Sequence, residues 1–229
     1  MKTAVVAILL TVLVSIGTTA QSHRYITDIP PFTKITLANG IHMVLVKSDR
    51  RCVRADGERT VISKVVCQVV EGHMSIYALP FKYKNSKRIT VYVEYDSTIV
   101  SINCKASNRV RAEEPIEGGE LQITARNGCD FFINMDVDHV RATVTSGSNI
   151  QFVGRSGSTD IHVENGSTVH AYNLESQIVH LTATLASKVE ITATAIINID
   201  ASSDSEVRYK GDPPERSINA LTGSRVFAQ

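Results

Sequence analysis

The sequence predicts an all-β protein, and within that class a parallel β-helix, or β-solenoid, with a less regular β-rich N-terminal half. Three observations point there. Val, Ile and Thr make up 68 of the 229 residues, and such β-branched side chains are stiff at χ1 and fit a pleated sheet better than a helix. Short apolar-polar-apolar segments recur about every 20 residues through the C-terminal part of the chain. Small and polar residues, several reading Ser-Gly-Ser or Asn-Gly-Ser, precede one strand of each unit, where the backbone must bend sharply.

From the N-terminus, residues 1–20 run from Lys2 through an apolar stretch, Ala4 to Ile16, to Gly17, Thr18, Thr19 and Ala20. A short basic region, an apolar core and small residues at the end form the pattern of a secretory signal. The core is too short for a spanning helix, which needs ~20 residues. Cleavage after Ala20 would release a chain starting at Gln21, exported to the periplasm or the cell surface and without a transmembrane segment. Residues 21–229 read as one solenoid domain, an irregular β cap over 21–96 followed by regular coils over 97–229. In the cap, strand-like runs cover Phe32 to Leu37, Ile41 to Val46, Val61 to Val70 and Ile89 to Tyr95, with Gly40 turning the chain after the first. This half shows no 20-residue echo. Its expected role is to cover the first coil, which would otherwise expose a sheet edge and the end of the core.

Beyond residue 97 two interleaved series organise the chain. One reads Val100-Ser-Ile102, Leu121-Gln-Ile123, Val140-Arg-Ala142, Ile161-His-Val163, Val179-His-Leu181, Ile197-Asn-Ile199 and Ile218-Asn-Ala220. The other reads Val110-Arg-Ala112, Phe131-Phe-Ile133, Ile150-Gln-Phe152, Val169-His-Ala171, Val189-Glu-Ile191, Val207-Arg-Tyr209 and Val226-Phe-Ala228. Each segment turns its two apolar residues to one face and its middle residue to the other. The even spacing favours strands that stack on their counterparts one period earlier, in parallel, at ~4.8 Å per coil. Corners before the second strand read Ser146-Gly-Ser148, Asn165-Gly-Ser167, Leu185-Ala-Ser187, Ser203-Asp-Ser205 and Thr222-Gly-Ser224.

Export permits disulfides, and Cys52, Cys67, Cys104 and Cys129 allow two bridges in three pairings. Sequence leaves the pairing open. In the register of the repeat, Cys104 follows one strand and Cys129 precedes the Phe131 strand, so both fall at one corner of adjacent coils. The ~4.4 to 6.8 Å that a bridge requires between Cα atoms is close to one coil spacing. The nearest-neighbour scheme, Cys52 with Cys67 and Cys104 with Cys129, is the expectation, with buried free thiols as its alternative. No CxxC pair is present to suggest zinc.

The chain resembles the putative auto-transporter adhesin, head GIN domain family. The residues that carry the resemblance are the run from Phe32 through Asn39-Gly40 to Val46, Ile89 to Asp96 with Ile99 to Ile102, the repeated Ser-Gly-Ser corners, and Val207-Arg-Tyr-Lys-Gly-Asp-Pro213. The resemblance covers nearly the whole mature chain, and its motifs are structural. It implies a right-handed parallel β-helix, an exported location and a surface-interaction role. The chain departs from the family pattern at Leu185-Ala-Ser187 and Ser203-Asp-Ser205, where glycine is expected, and in its four cysteines.

A net charge of +1 and only 6% aromatic residues argue against a nucleic-acid partner. Parallel β-helices also carry polysaccharide lyases and hydrolases, whose chemistry needs carboxylates converging from neighbouring coils. Asp130, Asp136 and Asp138 are the acidic candidates, with Pro115 and Glu117 expected on one neighbouring coil and Arg155 or Ser156 on the other. That is thin for a calcium site. His162 and His180 are expected at equivalent outward positions of consecutive coils, a pair that lacks a third metal ligand because Asn198 comes next. Glu190 and Arg208 are expected to stack as a surface ion pair. The basic stretch Phe81–Arg88 reads as a solvated loop and Asn165-Gly-Ser167 as a corner that happens to fit a glycosylation sequon. No catalytic residue, metal ligand or cofactor is assigned. The expected function is an exported, non-enzymatic, adhesin-like surface, its partner a glycan or protein at the cell envelope; the alternative is a carbohydrate-active enzyme on the same scaffold.

Overall fold

A computed structural model describes residues 22–79 and 89–229. The signal segment at 1–20 and the basic stretch Phe81–Arg88 lie outside the described residues. Alternation of apolar and polar side chains makes the chain strand almost throughout. The N-terminal half contains β1 (Ser22–Ile26), β2 (Lys34–Ala38), β3 (Ile41–Lys47), β4 (Cys52–Gly57), one helical turn α1 (Arg59–Ile62), β5 (Val65–Val70), β6 (His73–Ala78) and β7 (Ile89–Tyr95). The regular half begins with β8 (Ser101–Lys105) and continues through five long strands, β9 (Arg109–Arg126), β10 (Asp130–Thr145), β11 (Asn149–Val163), β12 (Thr168–Ala183) and β13 (Lys188–Ala201). It closes with β14 (Glu206–Lys210), β15 (Glu215–Ala220) and β16 (Arg225–Ala228).

Every pairing between β8 and β16 is parallel, and the regular half is a β-solenoid of about seven windings. Each long strand serves two windings. Its C-terminal part stacks in one wall, A, and its N-terminal part in a second wall, B. The core is a set of continuous columns. In wall A, Ile102, Ile123, Ala142, Ile161, Leu181, Ile199 and Ile218 face one another in register. In wall B the column is Val110, Phe131, Ile150, Val169, Val189, Val207 and Val226. All members but the last, Ile218 and Val226, are buried, and each buried Val, Ile, Leu or Phe side chain contributes roughly 1.5–3 kcal/mol relative to exposure. Between the walls the strands bulge at Ile133/Met135, Gln151/Val153 and Ala171/Glu175. At one such place Gly154 (φ +108) lets the backbones close up, since a Cβ there would lie 2.0 Å from the Met135 carbonyl oxygen.

The corners repeat one device. Two consecutive residues adopt positive φ: Ala106–Ser107, Asn127–Gly128, Ser146–Gly147, Asn165–Gly166, Leu185–Ala186, Ser203–Asp204 and Thr222–Gly223. Both corners that lack the expected glycine are therefore regular, at the energetic cost of L-residues in the left-handed region. Stacking holds them: Ala186 N–H donates to the Ser203 carbonyl at 2.8 Å and Asp204 N–H to the Thr222 carbonyl at 3.0 Å. One residue further on, a buried inward serine closes three of these arches. The Ser148 hydroxyl donates to the Thr145 carbonyl (2.8 Å), Ser187 to Thr184 (2.5 Å) and Ser205 to Ser202 (2.8 Å). Backbone N–H groups of the preceding winding donate to the same oxygens, Cys129 to Ser148 (3.2 Å) and Ser187 to Ser205 (3.3 Å).

The N-terminal half is β-rich, as expected, but it also contains windings of the same solenoid. β2 and β3 form one, with the corner Asn39–Gly40, and β6 with β7 form another. Their order in space is reversed. β2 pairs β6 on one side and β8 on the other, and β3 likewise lies between β7 and β9. The earlier winding thus lies inside the later one. Outside it, β5 pairs β6, β4 pairs β7 and β1 pairs β4, all antiparallel, and these strands with α1 cover the end of the stack. The run expected over Val61 to Val70 is split, its first residues Val61 and Ile62 lying in α1.

Register corrects the first repeat series at two places. Ile161, not Val163, opposes Leu181, and Ile218, not Ala220, opposes Ile199. Both slips are of two residues, which leaves every side chain on its own face.

All four cysteines are unbridged here. Cys67 aligns through Ile76 with Leu37, just before the Asn39–Gly40 corner, while Cys52 aligns through Glu94 with Val46, well beyond it. At ~3.3 Å per residue their Cα atoms are more than about 10 Å apart, beyond the reach of a disulfide. The expected Cys52–Cys67 pairing is thereby corrected. Burial, with a small opposing effect from Arg24, pushes the Cys67 thiol up to about 12.

Candidate interaction faces

The outward residues of the two walls form columns as regular as those of the core. On wall A one column runs Ser101, Gln122, Arg141, Asp160, His180, Asn198 and Ser217. Beside it run Asn103, Thr124, Thr143, His162, Thr182, Asp200 and Asn219. Hydroxyls, amides and imidazoles predominate. Several bond along the column: the Asn198 amide lies 3.0 Å from His180 Nδ1, and the Asn219 amide donates to Asp200 at 3.3 Å. Arg141 reaches Glu120 at 3.7 Å and Asp160 at 3.8 Å.

Wall B differs in chemistry. Its outward columns read Arg109, Asp130, Asn149, Thr168, Lys188, Glu206, Arg225 and, alongside, Arg111, Phe132, Gln151, His170, Glu190, Arg208, Phe227. Partners meet within the wall, Arg109 pairing with Asp130 at 3.0 Å and His170 Nδ1 hydrogen-bonding Glu190 at 2.8 Å. Cations lie over rings: Arg54 over Tyr92 at 4.1 Å, Lys210 over Tyr172 at 4.2 Å and Arg111 over Phe132 at 4.9 Å. The repeat aligns Arg111 with Phe132, whereas the partners of the other two rungs lie outside its aligned positions. A shallow hollow of about 220 Å³ lies between His170, Lys188, Glu206 and Arg208.

The residues singled out from sequence fall as follows. Asp136 opposes Glu117 and Arg155, as expected, and is engaged by Arg155 at 2.5 Å, a hydrogen bond that raises the Arg155 guanidinium above its ordinary value. Asp130 is held by Arg109, and Asp138 approaches Gly119. The acids line an edge and do not converge. His162 and His180 are not equivalent: His162 opposes Thr143 and Thr182, whereas His180 opposes Asp160 and Asn198. The stacked pair is overturned by the two-residue register slip described above. Glu190 and Arg208 do stack, but Glu190 engages His170 and Arg208 engages Glu206 at 2.8 Å. Asn165 sits at a corner with φ 55°. No helix among the described residues is long and apolar enough to cross a membrane.

Inside the coil, Ser156, Thr159 and Ser176 form a buried ring of hydroxyls with spacings of 2.6, 2.7 and 2.9 Å. Each can donate to the next, so the ring satisfies itself. It serves packing and offers no open site.

Taken together, stacked parallel windings and two walls of laddered side chains define a β-solenoid. The chain belongs to the family described as Putative auto-transporter adhesin, head GIN domain, whose sequence profile matches residues 31–213. The match ends before β15 and β16. Solved structures share the fold: a putative adhesin from Bacteroides fragilis (TM-score 0.80, 16% identity, covering 91% of this chain and 97% of that one). Another putative adhesin, from Parabacteroides merdae, superposes at a TM-score of 0.71 with 15% identity, over 93% of this chain and 98% of its own. A putative lipid binding protein from Parabacteroides distasonis gives 0.68 and 15%, with the same coverage. No curated protein matches the sequence.

Proposed function

We propose that this protein is exported and acts without catalysis, binding an extended polar polymer, a glycan of the cell envelope, along wall A. The observation that carries this reading is the pair of in-register outward columns on that wall, which presents amide, hydroxyl and imidazole groups at one position per winding. A polymer lying along the stack meets the same kinds of donors and acceptors at every ~4.8 Å step. Each hydrogen bond contributes only about 1 kcal/mol net, so affinity accumulates over many windings and not in a deep pocket. The family name and the adhesin names of the structural neighbours agree with surface interaction. Export rests on the signal-like residues 1–20.

One purified sample tests the reading in two assays. A glycan array, read alongside a hydrolysis assay on every glycan bound, is expected to show retention with the glycan left intact. Released product would transfer the protein to the carbohydrate-active enzymes, and no retention of any glycan would remove the proposed ligand. Asn198→Ala and Thr143→Ala should each weaken retention severalfold, while Gln151→Ala on wall B should not. N-terminal sequencing of exported material is expected to begin at Gln21; a start at Met1 would count against cleavage.

A further inference from the structure

Cys129 stands where the later corners hold serine. Ser148, Ser167, Ser187 and Ser205 occupy the same buried inward position, each just after the two left-handed residues. The thiol takes over the serine's bonding, donating to the Arg126 carbonyl at 3.1 Å and accepting the Asn108 N–H from the winding before. Cys104 reaches the same corner from the other side. It ends the wall-A segment of the preceding winding, in the inward column that continues through Ala125, Val144, Val163, Ala183 and Ala201. The two sulfurs meet diagonally inside the corner, where the Cys104 thiol donates to Cys129, and both residues are fully buried.

From this juxtaposition we infer that the exported protein carries one disulfide, Cys104–Cys129, and that Cys52 and Cys67 remain thiols. The bridge staples the first two windings of the regular half, next to the point where the reversed N-terminal windings join it. The oxidant is a disulfide of another molecule, small or protein-borne. The Cys129 thiolate attacks it, giving a mixed disulfide and one released thiolate; the Cys104 thiolate then attacks the Cys129 sulfur and expels the second. The two protons of the cysteines end on the two released thiols, so the protein loses two electrons and the oxidant gains them. In the closed corner, hydrogen bonds from Cys104 and from Asn108 hold Cys129 below the ordinary thiol value, at about 7. Because both sulfurs are buried in the closed corner, the exchange belongs to folding, before the Ala106–Ser107 arch has closed.

The test refolds the full chain from 21 to 229 in a mixture of reduced and oxidised glutathione, then denatures and alkylates it without reductant. Mass mapping is expected to show alkylation at Cys52 and Cys67 and a linked peptide joining Cys104 to Cys129. Alkylation of all four cysteines, or a link involving Cys52 or Cys67, overturns the inference. A second measurement uses Cys104→Ala with Cys129→Ser, residues that the other windings carry in the same columns. Reductant should lower the Tm of the oxidised wild type by roughly 6–12 °C, as expected for a bridge closing a loop of this length, and leave the double variant unchanged. A wild-type Tm indifferent to reductant also overturns it.

Discussion

The two halves of this solenoid use the same winding and assemble it in opposite ways. After β8, each winding stacks on its neighbour in sequence, so the chain simply climbs. Before β8, the winding β2–β3 is overlaid first by β6–β7 on its outer side and then by β8–β9 on its inner side. The difference teaches that a repeat is visible as a period only when sequence neighbours are also spatial neighbours. It also bears on folding. Regular windings propagate from local contacts, whereas the inner N-terminal winding is completed only by strands that arrive much later, and such non-local pairing is slow.

Substitutions down one column can break or sharpen this comparison. Met74, Ile35, Ile102 and their successors to Ile218 share a single inward column of wall A. Ile35→Ala, in the enclosed winding, is expected to cost ~2–5 kcal/mol in denaturant unfolding and to slow refolding. If it slowed refolding no more than Ile199→Ala does, the kinetic contrast between the halves would fail. Next in size is Gly154→Ala, at about 3 kcal/mol, because the added methyl meets the Met135 carbonyl. Calorimetry should register it as a Tm drop without loss of the strand signal.

Corner chemistry gives a change of opposite sign. Ala186→Gly should stabilise by about 1 kcal/mol, since Ala186 holds φ 60° at a site where other corners place glycine. A destabilised variant would show that the alanine methyl is used in packing. Ile218→Ala tests the far end of the column, where the side chain is 43% exposed. Its cost should stay below about 1 kcal/mol, and hydrogen exchange should report local opening of β15 while global stability holds. Smallest of all, Arg225→Ala removes the exposed contact to Glu206 and should change stability by less than about 0.5 kcal/mol.

Much of the regular half was readable in advance. All seven members of the wall-B series, Val110 to Val226, stand in register as the spacing predicts. Each follows a corner at a fixed offset, and the corner's stacked hydrogen bonds pin it. The wall-A series comes after the bulged stretch between walls, whose length varies from winding to winding, and there the pattern slips at Ile161 and Ile218. That slip misplaced His162 beside His180. The reversal of β2–β3 and β6–β7 left no trace in the spacing, because the strands that intervene between them are not part of a winding.

By itself, then, the sequence determined which side chains point inward, that the windings are parallel, and where the chain turns, since alternation and the corner residues are local properties. Tertiary structure decided which rung of wall A meets which, the order of the first windings in space, and that Cys52 is kept from Cys67. The physical reason is parity. A shift of two residues, or an exchange of whole windings, preserves every inward and outward assignment, so only packing across the assembled walls can tell the alternatives apart.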